Sequence, residues 1–306
     1  MARFGTEETA LAYLESIRWP DGPVCCHCGN GNRERLGRIV ANAGKKIRAG
    51  LWQCAECRKQ FRVTVGTIFE DSHVPLNLWL VAWYLVCGAK KGISALQMQR
   101  HLGLGSYRTA WMMMHKIRHA LTESPFTDKL SGVVEADETY VGGRVKGKGR
   151  HYMGNKTPVV ALVERGGRIR SQVMERVTAK NLKAAVLEHT AKGTTLVTDT
   201  ASAYVAATRK SRKHYTVNHS AGEYARKEKN GFVAHSNTVE CSFSLLKRGV
   251  MGSFHHVSKK HLPKYLAEFD FRWNNRGIND GERTVAGLKK TEGKRLTYRA
   301  PITKKD

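Results

Sequence analysis

The feature that most constrains the fold is a short apolar run that ends in acidic residues, at positions 133–137. It combines β-branched residues with a final carboxylate, which predicts a buried strand that delivers Asp137 to the edge of a site. A second run of the same design, residues 195–199, ends in Asp199. With a hairpin and a helix predicted between these two strands, the order of elements predicts a mixed α/β sheet.

A third acid, Glu240, falls in the first turn of a predicted helix that opens at Asn237. The two residues have the spacing of a capping box, so this acid could simply cap its own helix. Lys247 lies two turns further along the same predicted face. Three such carboxylates suit a pair of Mg²⁺ or Mn²⁺ ions, which bind carboxylate and phosphate oxygens, and Lys247 could hold a phosphate beside them.

Two Cys-x-x-Cys pairs predict a metal site near the start of the chain. Cys25 and Cys28 form the first pair, and Cys54 and Cys57 form the second. Each pair can wrap one side of a tetrahedral Zn²⁺ ion, as in a zinc ribbon. The cysteine and histidine inside the first pair are rival ligands, but only Cys25 and Cys28 repeat the two-residue gap of the second pair. A redox pair is the alternative, although such pairs normally precede a helix in an α/β unit.

Between residues 75 and 121 the apolar spacing becomes that of three short helices. The break at residues 103–105 resembles the turn of a helix-turn-helix, which would let the third helix offer Arg108 and Lys116 to DNA. Methionines and tryptophans at helical spacing are equally typical of a plain bundle core, so both interpretations remain open. Cys87, in the first of these helices, and Cys241 are predicted to be buried packing residues.

The charge of the chain predicts a polyanionic partner. Its 306 residues include 52 Lys and Arg against 26 Asp and Glu, a net charge of +26. Solubility alone needs far less, so this excess favours nucleic acid. A glycine-punctuated loop after the first acidic strand is predicted to contact the DNA backbone. The basic residues of this loop are Arg144, Lys146, Lys148 and Arg150, and the helix of Glu240 adds Lys247 and Arg248.

We expect an α/β chain, more closely an α+β multi-domain protein. The first 16 residues mix acids with apolar residues, so no secretory leader is predicted. The longest apolar run is too short for the ~20 residues of a membrane span, which favours a cytoplasmic, nucleoid-associated protein. The predicted segments are an N-terminal helix and zinc ribbon in 1–74, a helix-turn-helix-like module in 75–130, a catalytic mixed-sheet domain in 131–280 and a basic tail in 281–306.

Several motifs together resemble those of bacterial insertion-sequence transposases. After the cysteine pairs these are GTIF at 66–69, ADETYVGG at 136–143, TD at 198–199, HSNTVE at 235–240 and SLLKRG at 244–249. The resemblance is to the group that joins an N-terminal zinc ribbon to an ISXO-type DDE catalytic core of ribonuclease-H-like fold. It covers most of the chain, from about residue 10 to about residue 280.

This resemblance implies cleavage of DNA at the inverted-repeat ends of an element and strand transfer into target DNA, with dependence on Mg²⁺ or Mn²⁺. It assigns catalytic roles to Asp137, Asp199, Glu240 and Lys247. It also implies double-stranded DNA as the partner and a homo-oligomer when the ends are synapsed. Phe243 departs from the pattern, in which tryptophan is expected. Two other functions remain open: a non-catalytic, sequence-specific DNA-binding protein, and a ribonuclease-H-like nuclease without strand transfer.

Overall fold

The computed structural model describes residues 4–45, 47–124, 128–143, 145–148, 152–208, 213–218 and 221–297. The chain divides into two compact units. The first contains the residues up to Ala89, those of 93–121 and those from Ile278 onward, and the second contains 90–92 and 122–277. Among the described residues, no helix is both long and apolar enough to cross a membrane.

The first unit begins with a helix and a small antiparallel sheet. The predicted N-terminal helix is α1 (Glu7–Arg18), which is capped by the Thr6 hydroxyl and buries its apolar face. Three short strands follow, in the order β1–β2–β3. They are β1 (Leu36–Ile39), β2 (Leu51–Cys54) and β3 (Gln60–Arg62). Cys54 is therefore the last residue of the middle strand, immediately before the turn that carries Cys57.

Three helices continue the first unit: α2 (Leu76–Gly88), α3 (Ala95–Leu102) and α4 (Tyr107–Leu121). Gly103 ends α3 in the left-handed region, with a φ of +61°, and Leu104 N–H donates to the Gln99 carbonyl at 3.0 Å. Glycine reaches this conformation without a steric penalty, which is why the predicted break falls here. Cys87 is buried as predicted, and so are Trp83 and Met113.

The second unit is built on a five-stranded mixed sheet in the order β6–β5–β4–β7–β8. The strands β4, β5 and β6 pair in antiparallel fashion, whereas β4, β7 and β8 are parallel. This confirms the predicted mixed-sheet fold. Their bounds are β4 (Val133–Val141), β5 (Thr157–Glu164), β6 (Ile169–Val173), β7 (Thr195–Asp199) and β8 (Lys213–Val217).

Helices cover both faces of this sheet. On one face, α5 (Ala179–His189) and α6 (Ser202–Thr208) pack against apolar residues that include Val134 and Ala136 of β4. On the other face lie α7 (Asn237–Gly249) and α8 (Leu262–Asn274). A two-stranded hairpin of β9 (Arg226–Lys227) and β10 (Val233–Ala234) precedes α7.

The central strand runs further than predicted. We expected it to end at Asp137, but β4 continues to Val141 because β5 pairs with it in antiparallel register from Val134 to Val141. Its parallel partner β7 is shorter, and their ladder extends only to the pair Glu135 and Val197. Asp137 therefore lies inside its strand. Asp199, in contrast, is the last residue of β7, so the end of this shorter strand forms the edge of the site.

The C-terminal segment, predicted only as a basic tail, contains helix α9 (Asp280–Lys289), which begins with a capping box. This helix packs on α2 within the first unit. A Cβ atom at Gly287 would lie 2.6 Å from the Trp83 ring, so only glycine allows this close approach. Leu288 is fully buried.

Candidate active site

Asp137 and Asp199 lie side by side on neighbouring parallel strands. Strand β4 pairs with β7 so that Glu135 is opposite Val197, and each acid follows two residues later. Because side chains alternate along a strand and paired strands are about 4.8 Å apart, both carboxylates project from one face of the sheet. This is also the face on which α7 packs, since Val239 contacts the cluster around Ala161, the cross-strand neighbour of Asp137.

Helix α7 brings the third acid to this face. Glu240 lies in the first turn of the helix, directly after the buried Val239. Burial raises the pKa of Asp137 to about 7 against a hydrogen bond from the Glu138 N–H, and the charges of Glu138, Asp199 and Glu240 raise it further. The three predicted acids therefore belong to one electrostatic site, in which Asp137 interacts with the other two.

The two aspartates of this site have few compensating donors. Asp137 accepts the N–H of Glu138 at 2.7 Å, and Asp199 accepts the N–H of Ala201 at 3.0 Å. In the part of the chain that the structure describes, no lysine, arginine or histidine forms an ion pair with Asp137 or Asp199. Carboxylate oxygens are the ligands that Mg²⁺ and Mn²⁺ prefer, so these two aspartates offer donors for such an ion.

Glu135, two residues before Asp137 on the same face, has a different environment. It is completely buried. Its carboxylate accepts the backbone N–H groups of Thr238 and Val239 at 2.8 and 3.1 Å and the Thr238 hydroxyl at 2.9 Å. It also accepts the Arg165 Nε at 2.8 Å, and the His235 Nδ1 lies 3.2 Å away. These partners leave Glu135 as a structural link between β4 and the start of α7.

The start of α7 therefore differs from the predicted capping box. The helix has Ser236 at its N-cap position, without a side-chain capping hydrogen bond, and the acceptor for its first N–H groups comes from β4. Arg165 completes this arrangement by donating to the carbonyl oxygens of Val233 and His235, both at 2.8 Å. Sequence reasoning missed Arg165 because a single basic residue in the β5–β6 turn carries no spacing signal.

Lys247 lies near the end of α7, where it is exposed and lines a cleft together with Tyr140 and Val141. These two residues follow Asp137 on β4, so the helix and the strand run from the acids to the same cleft. Phe243, where tryptophan was expected, is buried between the sheet and Trp273. Cys241 was predicted to be buried, but it is exposed, because its helix position faces away from the sheet.

The four cysteines of the first unit form a metal-binding cluster. Their sulfur atoms all lie within 4.8 Å of one another, with 3.7 Å between Cys25 and Cys57 and 3.7 Å between Cys28 and Cys54. A tetrahedral Zn²⁺ ion with Zn–S bonds of about 2.3 Å needs sulfur–sulfur distances of about 3.8 Å. The rival ligand His27 instead has its Nε2 3.2 Å from the Gln60 carbonyl oxygen.

The predicted DNA-binding residues have different environments. Arg108 is exposed at the start of α4. Lys116 is half-buried with its ammonium 5.9 Å from the centre of the Trp79 ring, and burial lowers its pKa, so this ammonium is less available to a phosphate than that of an exposed lysine. Lys146, Lys148 and Arg248 are exposed, whereas Arg144 and Arg150 lie outside the described residues.

Comparisons with known proteins cover both units. Residues 5–60 match the family profile of a transposase zinc-ribbon domain, and residues 129–274 match that of an ISXO2-like transposase domain. The chain is 29% identical over 287 residues, which is 88% of this chain and 91% of the relative, to an uncharacterized protein in transposable element ISH50 of Halobacterium salinarum. The chain thus belongs to the transposases that join a zinc-ribbon domain to an ISXO2-like transposase domain.

Proposed function

We propose that this transposase cuts DNA at the inverted-repeat ends of its element and joins them to target DNA, with Asp137, Asp199 and Glu240 as ligands of two divalent metal ions. The proposal is supported by two observations: Asp137 and Asp199 project from the face of the sheet on which the helix of Glu240 packs, and burial and the charges of neighbouring acids raise the pKa of Asp137 to about 7. Asp137 interacts electrostatically with both other acids and would hold metal together with them.

When bound, a pair of Mg²⁺ or Mn²⁺ ions would stabilise negative charge on the attacking and leaving oxygens of a phosphodiester. In the first step, water attacks an end phosphodiester and the bond to the 3′ oxygen breaks, which leaves a 3′-hydroxyl on the element. In the second step, that hydroxyl attacks a target phosphodiester and a target 3′-hydroxyl leaves. The three carboxylates orient the reacting groups, and Lys247 contacts a neighbouring phosphate.

The first unit would contribute to the affinity for DNA together with the exposed Lys146, Lys148 and Arg248 of the second unit. A structural Zn²⁺ ion held by Cys25, Cys28, Cys54 and Cys57 would stabilise the ribbon, and Arg108 would contact DNA from the start of α4. Joining two ends to one target requires both ends in one complex, which supports a homo-oligomer on DNA. A protein that only bound DNA would not need three interacting acids, and a simple nuclease would not need the ribbon ahead of them.

The test uses duplexes that carry the element end, incubated in Mg²⁺ with purified variants. We expect Asp137→Asn, Asp199→Asn and Glu240→Gln to abolish cleavage and to leave binding of the end intact, since each removes a metal ligand. Glu175→Gln, which changes an exposed acid of the same unit, is the matched control and should cleave normally. Cleavage by Asp137→Asn near the parent rate would reject the triad. Cleaved ends that never join a target would favour a nuclease.

A further inference from the structure

A cleft of about 610 Å³ lies where β4 and α7 end in the second unit. One wall is formed by Tyr140 and Val141 of β4 and by the two glycines that follow. The other wall is formed by Lys247 of α7 and by the segment after the helix, which includes Met251 and His255. The volume falls within the range of about 300–1,000 Å³ that is typical of pockets for small molecules. It can hold one nucleotide but not a double helix.

The lining of this cleft combines apolar surface with positive charge. Tyr140, Met251 and three valines provide the apolar part, and Lys156 and Lys247 provide two ammonium groups, with two histidines beside them. No acid is among the described residues that line it. Two other clefts each contain three acids among their lining residues. A ligand with a planar apolar part and an anionic part therefore fits this cleft better than it fits the two acidic clefts.

The apolar groups of the cleft are presented to solvent. Tyr140 is 38% exposed and Met251 is 75% exposed. Met251 belongs to a π-helical turn, Val250–Phe254, that continues α7, and the turn ends at His255, whose φ is +59°. π-Helical turns are frequent at functional sites, and a positive φ at a residue other than glycine is uncommon. This local geometry holds Met251 outward instead of burying its side chain.

The cleft lies further along the same strand and the same helix than the candidate acids. Tyr140 follows Asp137 by three residues, which is about 10 Å along a strand. Lys247 follows Glu240 by seven residues, which is also about 10 Å along a helix. Because successive base pairs rise by about 3.4 Å, a nucleotide in the cleft would be about three positions from a phosphodiester held at the acids.

We propose that the cleft binds one unstacked nucleotide of the DNA that this transposase cleaves, about three positions from the cleavage site. The base lies against Tyr140 and Met251, since aromatic and thioether groups contact any base without sequence preference. The flanking phosphates contact Lys156 and Lys247. The inference deepens the proposed function and rests on it, because the nucleotide belongs to the DNA that is cleaved.

The test is a mismatch scan of the element-end duplex, with binding measured without divalent metal so that the DNA stays intact. Taking a base out of the stack costs least where it is mismatched. One mismatched position near the cleavage site should therefore strengthen binding by the parent protein severalfold. Tyr140→Ala and Met251→Ser should lose this gain while they bind the fully paired duplex. Tyr224→Ala, which changes a tyrosine of the same unit that is 68% exposed and outside the cleft, should keep it.

The Met251→Ser variant should fold like the parent, because so exposed a side chain contributes little to stability. Loss of the gain in this variant is therefore not explained by misfolding. A gain that is equal at many positions, that is absent, or that persists in both cleft variants would overturn the proposal. The same paired duplex is cleaved in Mg²⁺ as a separate measurement. If the parent cleaves it but shows no gain that depends on the cleft, the nucleotide site is wrong and the proposed function stands. If no metal supports cleavage, the proposed function fails, and the inference that rests on it fails as well.

Discussion

At the scale of single residues, two acids on one face of β4 have opposite roles. Glu135 is buried and accepts hydrogen bonds from α7 and from Arg165. Asp137 accepts one backbone N–H, and its pKa is raised to about 7 by burial and by the neighbouring acids. The charge of Glu135 therefore stabilises the fold, whereas the charge of Asp137 is unfavourable until a cation compensates it.

Substitution of Glu135 should therefore affect folding before it affects metal binding. A glutamine would keep an acceptor for α7 but would lose the charge opposite Arg165, and loss of one member of a buried pair costs about 3 kcal/mol. We expect Glu135→Gln to unfold at a lower temperature than the parent when no metal is present. Asp137→Asn is the matched variant and should unfold at an equal or higher temperature. Parent-like stability of Glu135→Gln would contradict this account.

The sequence could predict which face these two acids share, but not which of them is the structural one. Alternation along a strand puts Glu135 on the same face as Asp137, so by this pattern alone either acid could take the catalytic role. The partners that decide between them, Arg165 and Thr238, lie 30 and 103 residues away in the chain. Contacts at such separations leave no periodic signal.

At the scale of elements, the zinc ribbon depends on its metal site. Its three strands have only three or four residues each, too few to form a stable core by themselves. We expect one Zn²⁺ ion per chain, and we expect Cys54→Ser to lose it and to unfold residues 20–70 locally. Metal analysis and hydrogen exchange would show both effects. Cys241→Ser, which changes an exposed cysteine, should keep the metal. A full zinc content in Cys54→Ser would contradict the four-thiolate site.

The contact between α8 and β6 should make stability depend on pH. Burial raises the pKa of Asp270 to about 7, although hydrogen bonds from the Ser171 hydroxyl and N–H lower it. The usual value is 3.8, so between these two pH values the folded chain keeps a proton that the unfolded chain releases. The contribution of Asp270 is therefore fully present below about pH 4 and is lost as the pH rises through 7.

Asp270→Asn removes this titration and leaves groups for both hydrogen bonds. We expect the unfolding free energy of the parent, measured relative to this variant in urea at several pH values, to fall as the pH rises from 4 to 7. Changes that come from the overall charge of the chain cancel in the difference. A difference that grows in favour of the parent as the pH rises would show that the Ser171 hydrogen bonds outweigh burial.

The bounds of elements were harder to predict than their existence. Apolar spacing predicted the helices α1 to α5 and α7, the hairpin of β5 and β6, and the two acidic strands. The predicted end of β4 was wrong because the length of this strand depends on its antiparallel partner β5, which extends pairing to Val141. The predicted capping box of α7 was wrong because the acceptor for its first N–H groups is Glu135 of β4. Both features are set by pairing in three dimensions, which periodicity in one chain segment does not contain.

At the scale of the whole molecule, the chain leaves the first unit after Leu121 and returns to it at Ile278. Composition indicated only a basic tail there, because α9 presents few apolar residues among its charges. Its contribution is nevertheless structural. Arg283 donates to the Cys87 carbonyl oxygen at 3.1 Å, and Glu292 forms an ion pair with Arg18 of α1 at 2.6 Å. The last segment of the chain therefore contacts and stabilises α1 and α2, which lie much earlier in the sequence.

A truncation after Gly277 should consequently destabilise the first unit rather than merely reduce its charge. It removes Leu288, whose complete burial alone contributes about 2 kcal/mol, and it exposes the Trp83 ring to water. We expect a lower unfolding temperature and faster proteolysis within residues 76–121. A truncation after Thr297 is the matched control, since it removes basic residues but keeps α9, and it should unfold like the full chain. Equal stability of both truncated proteins would show that α9 adds charge and nothing more.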